Sequence, residues 1–268
     1  MQMEMSNQKR LAPIQGEIDN CFERLKIFIG KFNSQWYRKI EPTSEKKIKE
    51  LLNLLNWCGG NISFPPLYLE YLLLMGENDG GLLSDTLFGD SSVDSLIELY
   101  RDYKIEGIDT VKNNFINFFK QDMGGQYSLV FNPKYKFEIY ETDDEMIYEP
   151  IAENYEKLLF QCAVKKFVYL NKSYKFAGSK QALISALKSE NIETLLEKLR
   201  LLSGKYGLEE SWISDFKHYV AFGDDMILFV EMYGGIKGRI TGIESNVILK
   251  FLQDLRKLSG FTICEIEI

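Results

Sequence analysis

The sequence predicts an α+β protein made of two successive units, each with its own helices and strands. The 268 residues are 45% hydrophobic, which is enough to form the cores of two ordinary domains. Amphipathic helical patterns and short strand-like runs alternate up to about residue 168, and the alternation then begins again. We therefore expect an N-terminal helical extension over 1–43, an α+β domain over 44–168 and a smaller C-terminal α+β domain over 169–268.

Two amphipathic patterns open the chain. Apolar residues recur at intervals of three or four along 17–40, which predicts one helix with a single buried face: Ile18, Phe22, Leu25, Ile29, Phe32 and Trp36. A second pattern follows Thr43 and Ser44, either of which can cap a helix. Gly59 and Gly60 are typical of the end of that helix.

The stretch PPLYLEYLLLMGENDGG, residues 65–81, predicts a third helix. Proline is tolerated in a first helical turn, because the N–H that it lacks has no helical partner there. One face of this helix is apolar and aromatic: Tyr68, Tyr71, Leu72 and Met75. We expect Gly76 to end the helix in a left-handed conformation.

Strand-like patterns begin after this helix. GGLL and DTLFGD are typical of short edge strands around a turn, and SVDSLIELYRDY predicts a small helix. Along 114–150, apolar runs alternate with turn residues, which predicts an antiparallel meander with turns at Gly124-Gly125, Asn132-Pro133 and Thr142-Asp143-Asp144. A helix after Pro150 is expected to close the domain, with Ile151 and Tyr155 on its buried side.

The C-terminal pattern predicts a separate set of elements. Ser179 can cap a helix that carries Leu183, Ile184 and Leu187, and NIETLLEKLRLLSG predicts another. Residues 218–243 predict three strands. NVILKFLQDLRKLSG predicts an amphipathic helix, and FTICEIEI alternates like a terminal strand.

Charge is distributed unevenly along the chain. The net charge is −7 and the pI is about 5.1, which argues against nucleic-acid binding. Residues 64–160 contain 19 acidic and 7 basic residues, a net charge of −12, so the rest of the chain is net basic. An acidic surface of this kind suits a basic protein partner, and it equally suits simple solubility.

The sequence predicts neither a membrane segment nor a secretory one. The N-terminus MQMEMSNQKR lacks the apolar core of a signal peptide, and no run approaches the ~20 apolar residues that span a bilayer. Four cysteines lie far apart, without the spacing of metal ligands or of a compact disulfide framework: Cys21, Cys58, Cys162 and Cys264. We expect a cytoplasmic protein with free thiols, and the sequence leaves its oligomeric state open.

Motifs that indicate catalysis or a cofactor are missing from the sequence. His218 is its one histidine, which excludes two-histidine zinc motifs, and no G-x-S-x-G nucleophile elbow occurs. The glycines of MGENDGG and YGGIKGR have neither phosphate-loop nor dinucleotide-binding spacing. The acid pairs of ETDDEM and GDDM fall at expected hairpin turns, where aspartate caps backbone N–H groups. We expect no enzyme activity, no metal and no cofactor.

Three motifs together resemble the SUKH superfamily, which includes bacterial immunity proteins and a fungal cell-wall synthesis regulator. In order along the chain they are ISFPPLYLEYLLLMGENDGG, FINFFKQDMGGQYSLVF and IAENYEKLLFQC. Phe64-Pro65 stand for the Leu-Pro of the family, and Asn154 and Tyr155 replace its Ser and Phe. The resemblance covers roughly residues 44–165, so the first helix and the region after 168 lie outside it.

The resemblance implies a fold and the residues that build it. The family fold is a mainly antiparallel sheet with helices packed mostly on one face. The residues with structural roles are those of the aromatic helix, its end, the hairpin and the closing helix: Pro65, Tyr68, Tyr71, Leu72, Gly76, Gly80, Gly81, Gly124, Gly125 and Tyr155.

The resemblance also implies a function without catalysis. It points to an immunity protein that binds and neutralises a cognate bacterial toxin, and a basic nuclease would suit an acidic inhibitor. A scaffold or regulator of cell-wall or envelope synthesis is the alternative, and a hydrolase in the C-terminal half is a third hypothesis. The carboxylates that we expect to contact the partner are Glu77, Asp79, Asp85, Asp90, Asp94, Asp143 and Asp144.

Overall fold

The protein has two compact units in a computed structural model. The structure describes residues 20–57, 62–112, 114–122, 124–130, 134–144, 146–170, 172–178, 192–232, 235–259 and 262–266. We call Asn20–Lys166 the N-terminal unit and Phe167–Ile268 the C-terminal unit. Helices combine with antiparallel sheets, which confirms the predicted α+β class.

The described part of the N-terminal unit has six α-helices and seven strands. The helices are α1 (Cys21–Gly30), α2 (Glu45–Leu55), α3 (Pro66–Met75), α4 (Ser84–Leu87), α5 (Val93–Glu106) and α6 (Tyr155–Phe167). The strands are β1 (Ile40–Glu41), β2 (Asn78–Asp79), β3 (Gly89–Asp90), β4 (Phe115–Gln121), β5 (Gln126–Val130), β6 (Ile139–Asp143) and β7 (Met146–Ala152). Helix α1 belongs to this unit, although the sequence assigned it to an N-terminal extension.

Two antiparallel sheets organise the N-terminal unit. Strands β1 and β2 form a short pair. Strands β3 to β7 form a five-stranded sheet in chain order, and each strand runs antiparallel to its neighbour. The meander predicted along 114–150 is therefore confirmed, while its turn at Asn132-Pro133 lies outside the described residues.

Two predicted helix boundaries are wrong. Helix α1 ends at Gly30 instead of continuing to residue 40, and the Asn33 side chain accepts the backbone N–H of Gln35 in the turn that follows. Ile151 lies in β7 instead of the closing helix. Helix α6 begins only after Asn154, whose side-chain oxygen accepts the backbone N–H of residue 157 at 2.8 Å.

Gly76 ends α3 for a reason that differs from the prediction. Its φ is −72°, an ordinary right-handed value, so no left-handed conformation requires glycine here. A Cβ atom at this position would lie 2.6 Å from the carbonyl oxygen of Leu72 and 2.7 Å from Oγ1 of Thr43. The same carbonyl accepts the backbone N–H of Thr43 at 3.1 Å. Glycine is needed because two chain segments approach each other closely.

An aromatic cluster joins helices α3 and α6 to the sheet. The Tyr68 ring packs edge-on against Phe64, Phe118 and Tyr155, at centroid distances of 5.3, 6.3 and 5.7 Å. Tyr71 stacks on Tyr68 at 6.2 Å and meets Tyr155 edge-on at 5.9 Å. Buried aromatic pairs contribute both apolar area and ring–ring attraction. The cluster therefore holds both helices against the sheet face that carries Phe118.

The C-terminal unit is built around one antiparallel sheet. Its described helices are α7 (Ile192–Lys205) and α8 (Ser245–Ser259). Its strands are β8 (Lys172–Gly178), β9 (Glu209–Glu210), β10 (His218–Phe222), β11 (Met226–Glu231), β12 (Ile236–Gly242) and β13 (Thr262–Ile266), in the sheet order β13-β8-β12-β11-β10-β9. The predicted helices and strands along 192–266 are confirmed, and the helix predicted after Ser179 lies outside the described residues.

The two helices of the C-terminal unit bury the same sheet face. Leu199 of α7 and Phe251 of α8 belong to one core cluster with Tyr174, Tyr219 and Leu228 of the sheet. Strand β8 was not predicted, although it lies between β12 and β13. Among the described residues, no helix combines the length and the apolar character that a membrane span needs.

The Tyr68 side chain provides a test of the aromatic cluster. Its ring is 1% exposed, and its hydroxyl has no hydrogen-bond partner among the described residues. We expect Tyr68→Ala to lower the free energy of unfolding by about 3–5 kcal/mol, because a large buried ring is lost. Tyr68→Phe should leave the free energy unchanged or raise it by up to about 1 kcal/mol, because it removes a buried, unbonded hydroxyl. Urea denaturation measures both changes. Equal losses in the two variants would contradict this account of the hydroxyl.

Candidate functional site

The loop after α3 is built around a buried carboxylate. Asp79 is 3% exposed, and its two oxygens accept the backbone N–H groups of residues 81–84 at 2.6 to 3.3 Å. The hydroxyl groups of Ser84 and Ser91 donate to the same carboxylate at 3.0 and 3.2 Å. These donors fold GGLL into a tight loop, so the edge strand predicted there is absent. Asp79 holds this loop in one conformation.

Two aromatic side chains attach the Asp79 loop to the rest of the unit. The indole N–H of Trp36 donates to the backbone carbonyl of Asp79 at 3.0 Å. The Tyr71 hydroxyl lies 3.0 Å from the Ser91 hydroxyl and 3.4 Å from the Asp79 carboxylate. Burial raises the pKa of Tyr71, and the nearby Asp79 raises it further, so the phenol stays protonated. The loop is therefore anchored to α3 and to the segment after α1.

The position of Asp79 corrects one expectation about partner contacts. A carboxylate that is buried and hydrogen-bonded to backbone and hydroxyl donors cannot contact another protein. Its role is to shape the loop, which then presents the neighbouring side chains. Gly80 and Gly81, with φ of 67° and 82°, supply the left-handed turn that this loop requires.

Lysines offset the charge of three other predicted carboxylates. The ammonium group of Lys47 lies 2.9 Å from Glu77 and 2.7 Å from Asp94. The hydrogen bond to Asp94, followed by the one to Glu77, raises the pKa of Lys47. Lys166 forms an ion pair with Asp85. These three acids therefore present less net charge to a partner than the sequence suggests.

The register of the five-stranded sheet gathers the remaining predicted acids at one end. Gly89 pairs with Gln121 at the end of β4, and Gln126 pairs with Thr142 near the end of β6. Asp143 and Met146 then close the β6–β7 hairpin. Strands lie about 4.8 Å apart, so Asp90 on β3 is roughly 14 Å from the acids on β6. Residues separated by some fifty positions in sequence thus share one edge of the unit.

We call this surface the acidic sheet end and define it as Phe88, Asp90, Asp122, Asp143, Asp144 and Met146. Phe88 is 72% exposed and Met146 is 57% exposed. None of the four carboxylates forms an ion pair with a residue that the structure describes. Lys120 stands opposite Asp90 in the register and offsets part of its charge. The surface combines two exposed apolar side chains with a net negative charge.

Phe88 is held in an unusual backbone conformation. Its φ of 59° and ψ of 70° lie in the left-handed region, which costs a non-glycine residue roughly 1 kcal/mol or more. Its carbonyl accepts the backbone N–H of Asp122 at 3.1 Å, which ties the end of α4 to the β4–β5 turn. A large apolar side chain kept in solvent by a costly conformation is typical of a functional surface.

A buried polar row fixes the strands that lead to the acidic sheet end. The Ser128 hydroxyl bonds to the Asn117 side chain and lies 2.7 Å from the Thr142 hydroxyl, so β4, β5 and β6 are linked in register. The Asn117 side chain also donates to the Tyr103 hydroxyl of α5 at 3.4 Å. Burial raises the pKa of Tyr103, and Asp144 raises it further. Satisfied polar groups of this kind specify one register.

The side chains with predicted structural roles in α3 and α6 are buried in the fold. Pro65 precedes α3 at the capping position. Tyr68, Tyr71, Leu72 and Tyr155 are at most 3% exposed. Gly124 and Gly125 form the turn between β4 and β5. The structure thus separates the buried side chains that build the unit from those of the acidic sheet end, whereas Gly124 and Gly125 lie in a turn beside Asp122.

Sequence reasoning missed half of the acidic sheet end. Asp90, Asp143 and Asp144 were expected, whereas Phe88, Asp122 and Met146 were not. Apolar residues of DTLFGD and EMIYEP look like ordinary strand residues in sequence. The turn signal at Gly124-Gly125 could have drawn attention to Asp122, which lies two positions before it.

The C-terminal unit contains two acidic features, and the first closes a turn. The ring nitrogen Nδ1 of His218 lies 3.1 Å from Asp215, and the same carboxylate oxygen accepts the backbone N–H groups of Lys217 and His218. This arrangement closes the turn that enters β10. Asp224 and Asp225 lie exposed at the β10–β11 turn. Within the described ranges, no group of three histidine, cysteine or acidic side chains could hold a metal ion.

Comparisons of this chain with protein-family models, with curated proteins and with solved structures find no match.

Replacement of Asp79 tests its role in the loop. Asp79→Asn keeps the side-chain size but replaces one acceptor oxygen with an N–H₂ group that faces donors. We expect a loss of about 2–4 kcal/mol in the free energy of unfolding, because buried donors then lose a charged acceptor. Asp90→Asn is the matched control, because an amide oxygen can still accept the Ser92 N–H that Asp90 accepts at 2.7 Å. The control should change stability by less than about 0.5 kcal/mol. Similar losses in both variants, measured by thermal and urea unfolding, would count against the loop role.

Proposed function

We propose that this protein is a non-catalytic immunity protein that binds and neutralises a cognate bacterial toxin through the acidic sheet end. The observation that carries the proposal is Phe88, an aromatic side chain that is 72% exposed on a left-handed backbone, beside carboxylates that form no ion pair with a described residue. The resemblance to the SUKH superfamily over residues 44–165 supports the class of function.

The two kinds of side chain at this surface have separate roles in binding. Carboxylates attract a basic partner over distances of about 10 Å at 0.1 M salt and raise the association rate. Exposed apolar side chains add affinity once they are buried, because they lose contact with water. Asp122, Asp143 and Asp144 would therefore steer the toxin, and Phe88 and Met146 would hold it.

The rigidity of the supporting structure favours tight binding. The Asp79 carboxylate fixes the loop before α4, and the polar row through Ser128 fixes the register of β4 to β6. A surface that is already ordered loses less conformational entropy when a partner binds. The backbone strain at Phe88 fits the same interpretation, because the surrounding contacts keep the side chain exposed before the partner arrives.

The charge of the surface favours one class of toxin. Nucleases have basic surfaces because they bind phosphate groups. Carboxylates placed along one sheet end can occupy the positions that phosphates would take and so block access to nucleic acid. We therefore propose a basic nuclease as the toxin.

Neutralising the acids should slow association. The triple variant Asp122→Asn, Asp143→Asn and Asp144→Asn removes three charges, and asparagine tolerates the left-handed φ of 42° at residue 144. We expect an association rate about tenfold lower than wild type at low salt, with a smaller salt dependence and a nearly unchanged dissociation rate. The ligand is the toxin captured from source cells and encoded beside this gene, and surface plasmon resonance measures both rates.

The matched control removes the same number of charges from the C-terminal unit. It carries Asp224→Asn, Asp225→Asn and Glu244→Gln, all at exposed positions. Its association rate should stay within about twofold of wild type at each salt concentration. An equal slowing of both triple variants would show that net charge alone matters, and that the acidic sheet end is not the binding surface.

Phe88→Gly should separate stability from binding. Glycine adopts a positive φ without a steric penalty, so we expect the free energy of unfolding to rise by up to about 1 kcal/mol. Loss of the aromatic ring should raise the dissociation rate of the toxin complex at least about tenfold. Thermal unfolding and surface plasmon resonance give the two readouts. A more stable variant that binds as tightly as wild type would remove Phe88 from the proposed surface.

A further inference from the structure

The outer sides of helices α7 and α8 form a basic surface on the C-terminal unit. Both helices pack on the same sheet face, with Leu199 and Phe251 in one core cluster, so their other sides point away from the sheet. The exposed residues recur at intervals of three or four, which places them on one side of each helix. We call this surface the basic helical face and define it as Leu201, Lys205, Leu249, Lys250, Arg256 and Lys257.

One carboxylate joins the two helices and leaves most of this positive charge in place. Asp254 of α8 forms ion pairs with Lys205 of α7 and with Lys257 of α8. The hydrogen bond from Lys205 is the largest of the effects that lower the pKa of Asp254 well below its ordinary value. Lys250 and Arg256 form no ion pair with a residue that the structure describes. Four cations thus surround one carboxylate, and the basic helical face has a net positive charge.

The basic helical face also contains two exposed leucines. Leu201 is 76% exposed and Leu249 is 42% exposed. Glu197, about one turn before Leu201, is the one further acid with a described side chain on these helices. The charge of Arg200, which lies between them, is offset by an ion pair with Glu210. The surface therefore offers apolar side chains that gain affinity when a partner covers them, beside unpaired cations.

The acidic sheet end has the complementary properties. It combines Phe88 and Met146 with four carboxylates that form no ion pair with a described residue. Opposite charges that meet across an interface attract each other and fix its register. A nucleic acid would supply negative charge but no apolar side chains for the two leucines, and the net charge of −7 repels it. A second copy of this chain supplies both kinds of group.

We propose that the basic helical face of one copy binds the acidic sheet end of another copy, so that self-association and toxin binding compete for one surface. The competition rests on the proposed function, whereas the contact between copies does not. The contact is heterologous, because two different surfaces meet. Self-association then keeps the acidic sheet end covered until a toxin with higher affinity displaces the second copy.

Sedimentation velocity of the full-length protein over a range of concentrations tests the contact. The basic-face variant carries Lys250→Gln, Arg256→Gln and Lys257→Gln, all at exposed helical positions. Its partner in the test is the triple asparagine variant of the acidic sheet end. Each variant alone should self-associate at least about tenfold more weakly than wild type. An equal mixture of the two should associate again, because one variant keeps the basic helical face and the other keeps the acidic sheet end.

The matched control removes three cations from the N-terminal unit. It carries Lys46→Gln, Lys49→Gln and Lys104→Gln, all at exposed positions, and has the same net charge as the basic-face variant. Its self-association should stay within about twofold of wild type. Added salt should weaken the wild-type association, because salt screens the attraction between the two surfaces. Thermal unfolding checks that every variant is folded.

Several results would overturn the proposal. They are a mixture of the two variants that stays monomeric, equal self-association of the basic-face variant and wild type, and equal weakening in the control. A wild type that is monomeric at every concentration would also overturn it. Binding of that monomer to vesicles of anionic phospholipid, lost in the basic-face variant, would assign the basic helical face to a membrane surface instead.

The proposed function can fail separately from this contact. Toxin binding is measured at concentrations where the protein is monomeric. A monomeric wild type whose toxin complex is weakened by Phe88→Gly would keep the proposed function and remove the contact between copies. Self-association that an excess of toxin leaves unchanged would keep the contact and place the toxin on another surface.

Discussion

The buried carboxylate of Asp79 is the constraint on which the N-terminal unit depends. A charged group in a protein interior is tolerated only when donors surround it, and here four backbone N–H groups and two hydroxyls do so. Those donors belong to the loop before α4, the first residue of α4 and the segment before α5. One side chain therefore fixes the loop after α3 and the start of α4, the short helix that ends just before Phe88.

The folded structure offsets part of the acidic charge that the sequence carries. The segment 64–160 has a net charge of −12, yet lysines from α2 and α6 neutralise much of the acidity around the Asp79 loop. Carboxylates that form no ion pair with a described residue remain where the sheet register places the β4–β5 and β6–β7 turns at one end of the sheet. Two acidic parts of one segment thus differ in net charge, because ion pairs with lysines offset the first more than Lys120 offsets the second.

Local patterns predicted most elements, and long-range contacts explain the failures. Helical periodicity identified α2, α3, α5, α7 and α8, since each has a continuous apolar face. Strand β8 escaped prediction because KSYKFAG mixes lysines with aromatics, and its neighbours lie far along the chain. The stretch GGLL forms a loop instead of a strand because the Asp79 carboxylate accepts its backbone N–H groups. Phe88 is exposed on a backbone with a left-handed φ, which the sequence does not reveal. Acids at turns could be predicted from sequence, whereas their pairing with lysines could not.

The position of β8 in its sheet has a consequence for folding during synthesis. Residues 20–166 are contiguous, so the N-terminal unit can complete its core while the ribosome is still translating the C-terminal unit. Strand β8 is synthesised next, but its two neighbours in the sheet, β12 and β13, are synthesised only after α7 and the central strands. Until then both of its edges are unpaired, and such edges recruit other chains. The nascent C-terminal unit is therefore open to aggregation through β8 until β12 and β13 have been synthesised.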